Sequence, residues 1–377
     1  MLNIQKVDTT DKGQVKRFVE YPYHLYSKCR QWVPPLFVDA YLPLNRKKHP
    51  FYDHSDADFF IATREGKIVG RIAALENKPF NEYHGTRDAE FYFFDCLDDE
   101  EIAAALFGAV FDWAKARGLN RIVGPKGMSA FDGYGILIEG YEHRQMMTMM
   151  NYNYDYYRRL VEGLGFEKEV DFVSCYLPAE SFRVPERVER IAQRVQARGQ
   201  LSVKYFKNKR ELVSWAPRIG AAYNKAFVQN WEYYPLTQRE VDFVVDNIMT
   251  IADHRLIKVI TAGDEIVGFL FAFPDVSAAL QRAKGRLFPF GLIDLLLELK
   301  RTRTVSGNGV GILPEFQGNG GNALLYSEIG KTIFNPPYHF TFVEMTQVAE
   351  TTHQMRADLK NLNGIEYKNH RVYKKMI

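Results

Sequence analysis

Residues 309–330 read GVGILPEFQGNGGNALLYSEIG: an apolar strand, a short turn, a glycine cluster and an amphipathic helix. Gly318, Gly320 and Gly321 let backbone N–H groups converge with no Cβ in the way. The helix that follows directs the positive end of its dipole at the same spot. Together these make an anion site, suited to a phosphate or pyrophosphate. A Walker loop needs a Lys followed by Ser or Thr, which this loop lacks. A dinucleotide fingerprint is partly met, since Gly318, Gly320 and Ala323 fit G-x-G-x-x-A and Glu344 lies about 20 residues on. Against it, Pro314 to Gln317 separate the strand from the first glycine. Only 33 residues follow Glu344, too few for the rest of a dinucleotide sheet.

The elements that would hold this loop occur twice. Residues 59–74 read FFIATREGKIVGRIAA and residues 257–272 read IKVITAGDEIVGFLFA. At an offset of 198, Thr63/Thr261, Ile68/Ile266, Val69/Val267, Gly70/Gly268 and Ala74/Ala272 coincide. Each segment is a hairpin: a β-branched run, a polar turn and a second apolar run. The halves close alike, with a helix ended by Gly165 or Gly364 and then an alternating strand. The pattern predicts two copies of one α/β unit, at 1–180 and 181–377, each with a hairpin, strand, helix, strand, helix and strand. In the first copy Asp98 is expected to cap a helix whose buried stripe is Ile102, Leu106, Ala109 and Trp113. CLDDEEI (96–102) stands there where the second copy has its glycine loop, and its acidic residues would repel phosphates.

Composition narrows the class. Hydrophobic residues make up 46% and charged residues 25%, the balance of a globular protein. A net charge of +3 gives no reason to expect a nucleic-acid partner. Cys29, Cys96 and Cys175 are far apart, which suits neither a disulfide framework nor a metal site. No apolar run reaches the roughly 18 residues of a membrane span, and the first residues lack a signal-peptide core. A cytoplasmic protein without a bound metal is expected.

The run from Ile312 to Asn322, ILPEFQGNGGN, resembles motif A of the GNAT superfamily, the acyl-CoA-dependent N-acyltransferases. Gln317, Gly318 and Gly320 match the diagnostic positions of V-x-P-[ED]-[YF]-[RQ]-G-x-G-[IL]-[GA], while Asn322 departs from its final small residue. Segments such as WVPPL (32–36), VGPKGMS (123–129) and NYNYDYYRRLVEGLGF (151–166) resemble a largely uncharacterised bacterial family of tandem GNAT-like proteins. The resemblance implies an α/β (α+β) fold: two tandem GNAT-like units with mixed, mostly antiparallel sheets flanked by helices. It implies that Gln317, Gly318, Asn319, Gly320, Gly321 and Asn322 bind the pyrophosphate of acetyl-CoA or a longer acyl-CoA. Val310 and Ile312 would pair with the pantetheine amides. The first unit would be a degenerate partner, and the amine acceptor, a small molecule or a lipid, would sit between the units.

Acyl transfer to an amine needs a group that takes the ammonium proton and sometimes an acid for the leaving thiolate. Many GNAT enzymes place a Tyr four residues before the glycine that ends the penultimate helix. That position, counted from Gly364, is Lys360 here, so the resemblance does not carry the usual acid. Glu344 at its strand end and His353 at the next helix start are the candidate bases, and Tyr373 in the last strand is the candidate acid. Residues 123–157, rich in glycine and aromatics, are expected to line an acceptor pocket, with Tyr134 and Tyr156 among the lining.

The second copy has an insertion whose residues 287–299 are almost wholly apolar between basic flanks. It suits a buried lid, a homodimer contact, or an interfacial helix on anionic lipid. Some bacterial lipid N-acylating enzymes, ceramide-forming ones included, resemble this family. The donor would then be acyl-CoA or acyl-carrier protein, and a catalytically inactive acyl-CoA-binding protein is the non-enzyme alternative.

Overall fold

The computed structural model describes residues 1–377 except 130, 148, 179–183 and 339. In chain order the first elements are β1 (Leu2–Lys6), α1 (Lys12–Leu25), α2 (Phe37–Tyr41), β2 (Asp56–Arg64) and β3 (Lys67–Glu76). Then come α3 (Lys78–His84), β4 (Asp88–Cys96), α4 (Glu100–Lys115), β5 (Arg121–Gly124), β6 (Ile136–Glu139), α5 (Tyr156–Gly163) and β7 (Glu167–Pro178). The second half holds α6 (Glu186–Arg198), β8 (Ser202–Lys204), α7 (Lys209–Ala226), α8 (Gln238–Ile248), β9 (Ile257–Ala262) and β10 (Glu265–Pro274). It continues with α9 (Ser277–Ala283), α10 (Gly291–Arg301), β11 (Thr304–Ile312), α11 (Gly321–Ile333), β12 (Phe342–Ala349), α12 (His353–Asn361) and β13 (Ile365–Met376).

These elements form two compact units. The first is Met1–Val173 with Ser277–Leu295 and Lys368–Ile377, and the second is Ser174–Val276 with Leu296–Tyr367. The boundary expected between 180 and 181 lies outside the described residues. Two later pieces of chain join the first unit, and polar contacts show why. Ser277 accepts the Met147 amide at 2.7 Å, Gln281 donates to the Arg30 and Trp32 carbonyls, and the Phe37 amide bonds the Gly285 carbonyl. From the last strand, Arg371 makes a two-pronged pair with Asp171, and Tyr373 lies opposite Gly124.

In the first unit the strand order is β1-β2-β3-β4-β5-β13-β7, with β6 also on β13. There β4 and β5 run parallel, whereas β1 with β2, β2 with β3, β3 with β4, and β13 with β5 and β6 run antiparallel. The second unit has the order β7-β12-β11-β10-β9-β8, again with one parallel pair, β11 with β12. Both sheets are therefore mixed and mostly antiparallel, with helices against them, as expected. Each has its own core: Phe91, Ile102, Leu106, Phe107 and Val110 are buried in the first, and Ile260, Val267, Leu313, Leu324 and Leu325 in the second.

The repeat is visible in the register. Gly70 pairs with Ala62 and Cys96, and Gly268 pairs with Ile260 and Ile312. Strand β4 is thus the counterpart of β11. Phe93, at φ +49°, and Gly309, at φ +109°, stand three residues before those partners. Two sequence expectations shift by one residue. Helix α4 is capped by Asp99 rather than Asp98, because the Asp99 carboxylate takes the Glu101 and Ile102 amides. Asp98 instead pairs with Arg159. After α12 the left-handed residue is Asn363, at φ +59°, and not Gly364, while after α5 it is Gly165 at φ +76°. Asparagine adopts that conformation more readily than other non-glycine residues, so the offset of 198 continues to the end of the repeat.

Candidate functional site

Strands β11 and β12 pair in parallel from Thr304↔Phe342 to Gly307↔Met345 and no further. Beyond that rung β11 stays bonded to β10, through Leu270↔Val310 and Gly268↔Ile312. Its other edge opens from Asn308 to Ile312. Val310 and Ile312 sit on this open stretch and are half-buried. Unpaired strand-edge donors and acceptors are a ready template for an extended ligand.

The loop beyond β11 is anchored at its start. The Leu313 amide bonds the Val267 carbonyl at 2.9 Å, and the Leu313 side chain is fully buried. Gln317 Nε2 donates back to the Ile312 carbonyl at 3.2 Å. From there Gln317, Gly318 and Asn319 are exposed. Gly318 and Gly320 take φ of +77° and +82°, a region that other side chains rarely enter. Gly320 then begins α11, and no side chain caps that helix. The first amides of α11 consequently face the loop without an internal acceptor, which is how a helix start receives an anion.

The two glycines differ in their surroundings. A Cβ on Gly320 would lie 2.8 and 2.9 Å from Val195 and Ile191 of α6, whereas one on Gly318 would meet nothing within 4 Å. Helix α6 packs along α11 and is held there by Ser327 donating to Glu189 and Gln196 donating to Glu328. The space beside the loop is therefore at Gly318.

Asn322, the residue that departs from the family pattern, has a structural use. Its Nδ2 donates to Asp358 Oδ2 of α12 at 2.8 Å, joined by the Tyr326 hydroxyl at 3.1 Å and Gln354 Nε2 at 3.2 Å. This fixes the start of α11 to α12. Asp358 and Tyr326 were not foreseen from the sequence. A side chain that bonds across to another helix leaves no pattern in one chain.

The candidate catalytic residues are not gathered into one group. Glu344 lies on β12 opposite Ser306, one rung before the strands part, and is 1% exposed. His353 is the first residue of α12 and is exposed, as is Lys360. Tyr373 belongs to the first unit, where its hydroxyl donates to Glu162 at 3.0 Å, and burial pushes its phenol up. The last strand therefore delivers Tyr373 to the core of the first unit rather than to the glycine loop's unit. Tyr134 and Tyr156 are both held within the first unit by contacts of their own. Tyr134 stacks on Phe172 at 4.8 Å, and the Tyr156 hydroxyl donates to the Cys96 carbonyl. Among the described residues there is no group of three or more side chains placed to hold a metal ion.

The first unit repeats this framework without the loop. Three residues, Leu97 to Asp99, join β4 to α4, where eight, Leu313 to Gly320, join β11 to α11. Asp99 caps α4 and also pairs with Arg64 at 2.8 Å, so this helix start is already occupied.

No family model matches the chain. Protein YghO of Escherichia coli (strain K12) is 27% identical over 379 residues, which cover 97% of this chain and 94% of that protein. The bacterial ceramide synthase of Caulobacter vibrioides (strain NA1000 / CB15N) is 28% identical over 374 residues, covering 97% of this chain and 95% of that one. Among solved structures, a tandem GNAT protein from the clavulanic acid biosynthesis pathway matches with a TM-score of 0.58 at 11% identity. That match covers 100% of this chain and 98% of its own. A GCN5-related N-acetyltransferase from Sphaerobacter thermophilus matches with a TM-score of 0.51 at 11% identity, covering 100% of this chain and 95% of its own. The chain thus has the tandem GNAT fold.

Proposed function

We propose that the protein is an N-acyltransferase that binds acyl-CoA on its second unit and passes the acyl group to an amine. The observation that carries this reading is the parting of β11 from β12 directly before a loop with two left-handed glycines and an uncapped helix. The loop amides from Gln317 to Asn322 would hold the pyrophosphate, and the open edge at Val310 and Ile312 would hold the pantetheine arm. The thioester of the bound acyl-CoA supplies the activated acyl group. Glu344, buried on β12 one rung before the parting, would take the proton from the amine. In an assay of free thiol release with acyl-CoA and a panel of primary amines, the wild-type protein should turn over. Glu344→Gln should lose about 100-fold in kcat while its affinity for acyl-CoA changes less than about threefold. Full turnover by Glu344→Gln would remove the carboxylate from this role.

A lipid acceptor is the second reading, and one surface favours it. Phe288, Phe290, Ile293, Leu296 and Leu297 are 71, 76, 57, 50 and 39% exposed, on and just before α10. Only Leu295 of that helix is buried, so the segment does not form the buried lid its sequence suggested. Lys284, Arg286, Lys300, Arg301 and Arg303 flank it. Apolar side chains between cations suit the interface of an anionic bilayer, where each nearby cation adds about 1 kcal/mol. No helix among the described residues is long and apolar enough to cross a membrane. The relative named as a bacterial ceramide synthase supports the same reading. In flotation with phosphatidylglycerol vesicles, the wild type should rise with the lipid, and Phe288→Ser with Phe290→Ser should cut the bound fraction about tenfold. Equal flotation of both proteins would exclude this surface as the seat.

A further inference from the structure

The first unit parts its parallel strands as the second does, but nothing there receives a phosphate. Strands β4 and β5 pair only from Asp88↔Arg121 to Glu90↔Val123. Beyond that point lies a cavity of about 290 Å³, lined by β4 from Tyr92 to Asp95, by Pro125, and by α1, α2 and the 131–153 segment. The volume is at the small end of ligand pockets. The wedge is thus kept open in a unit whose helix start is closed by Asp99.

The chemistry of the lining is unlike that of the second unit. On one side Arg71 and Asp95 pair at 2.7 Å, and the Tyr26 hydroxyl bonds both Asp95 and Tyr157 at 2.9 Å. That group is neutral overall and internally satisfied. Around it stand aromatic rings, among them Tyr23, Trp32, Tyr92, Phe131 and Tyr152. Two further carboxylates line the same space, Asp132 and, on α2, Asp39. Asp132 Oδ2 accepts the Ser129 amide at 3.0 Å, and no cationic side chain among the described residues pairs with either group. Among the described residues the one cation on the lining is Arg71, which is committed to Asp95. The lining therefore carries one partly buried carboxylate without a cationic counterpart, Asp132, while Asp39 is exposed to solvent.

We propose that this cavity is a binding site for a small organic cation, an ammonium on an apolar or aromatic body, with the charge seated against Asp132. Backbone amides satisfy part of the Asp132 carboxylate but leave its charge unpaired, and a ligand ammonium supplies the missing countercharge. Ring faces add attraction for the same charge. Taking the bound cation for the acceptor amine rests on the acyl-transfer reading, whereas the site itself does not.

Burial pushes the Asp132 carboxyl up to about 6, against backbone hydrogen bonds that lower it. The groups facing it are Asp39 of α2, Arg71 of β3, Tyr92 and Asp95 of β4, and the hydroxyls of Tyr26, Tyr152 and Tyr157. Desolvation moves the tyrosines further above neutral pH and raises the Asp39 carboxyl as well, and Asp132, at about 6, changes charge between pH 5 and 7. A primary ammonium, with its pKa near 10, stays charged throughout. Cation affinity should then rise about tenfold from pH 5 to pH 7, as the carboxyl ionises.

The test is calorimetric titration of the full chain with phenethylamine and with 2-phenylethanol, its neutral counterpart. The amine should bind at least about tenfold more tightly than the alcohol, with the stated rise in pH. Asp132→Asn should abolish that preference and flatten the pH profile. Ala40→Trp, which narrows the cavity from α2 and leaves Asp132 in place, should weaken both ligands. Equal binding of amine and alcohol, a flat pH profile in the wild type, or unchanged binding by Ala40→Trp would overturn the proposal. Amine binding without any acyl-CoA binding would keep this site and sink the acyl-transfer reading. Acyl-CoA binding without amine binding would do the reverse.

Discussion

Gly318→Asp is expected to weaken acyl-CoA binding by at least about 100-fold, and Gly318→Asn by only a few-fold. Both side chains fit, because a Cβ at this position meets nothing within 4 Å. Both also tolerate the φ of +77° better than other non-glycine residues. They differ by one charge. A carboxylate about 5 Å from a phosphate, at an effective dielectric near 20, is opposed by roughly 3 kcal/mol, somewhat more than the 2.7 kcal/mol of a 100-fold change. Salt should shrink the difference, since the loop is exposed. Titration of both variants with CoA at low and moderate salt reads this directly. Similar losses in Asp and Asn variants would mean that backbone distortion, not charge, is responsible. Gly320→Glu is the poorer probe, because its Cβ would strike Val195 and Ile191 and disturb the packing of α6.

Lys126→Met is expected to destabilise the first unit by about 3–5 kcal/mol at neutral pH. Lys126 Nζ lies 2.7 Å from Glu90 Oε1, and the two side chains are 4 and 2% exposed. The ammonium also lies 3.0 Å from the centre of the Phe80 ring. The contact is a buried ion pair in which Lys126 acts on the carboxylate both by charge and by hydrogen bonding. Burial raises the Glu90 carboxyl, and Lys126 is the principal influence holding it down. Removing Lys126 lets the carboxyl rise further, so the folded state then prefers it neutral. The deficit should be full above that raised value and shrink as the pH falls toward the unfolded carboxyl's 4.3 or so. Urea midpoints at pH 5 and pH 8 measure this. Adding Glu90→Leu should restore much of the loss, because no uncompensated charge remains. A deficit that does not change with pH would show that lost packing, not the stranded carboxylate, sets the cost.

Much of the site was legible in the sequence because it is local. The glycine spacing at 318, 320 and 321 and the helix pattern after it describe one continuous stretch, and the structure keeps them together. The repeat was legible for the same reason, as each hairpin is a short, strongly patterned element whose glycine lies at the same rung. Single-residue choices were harder. Asp98 and Asp99 are chemically equal candidates for a cap, and each pairs with an arginine distant in sequence, Arg159 or Arg64, so the sequence alone does not choose between them.

The largest departures come from long-range pairing. The last strand carries an ordinary alternating pattern that suits any sheet. Its place beside β5 depends on Asp171 receiving Arg371 and on the rung between Tyr373 and Gly124, none of which is visible as a motif. That pairing puts Tyr373 in the first unit, away from the second-copy position its place in the sequence suggests. Within 123–157, Phe131, Asp132 and Tyr152 line the first unit's cavity, while Tyr134 stacks on Phe172 and Tyr156 bonds the Cys96 carbonyl. Aromatic content marks a greasy loop without telling which rings face the space.

The most direct test of the acyl-CoA site is a thermal unfolding series with wild-type protein and free CoA, acetyl-CoA, palmitoyl-CoA and NADH. A ligand that binds only the folded chain raises its apparent stability by about 2.7 kcal/mol at 100 times its Kd. The account predicts a concentration-dependent rise in Tm with the CoA species and none with NADH. No rise with any CoA species at millimolar concentration, or a rise with NADH alone, would contradict it.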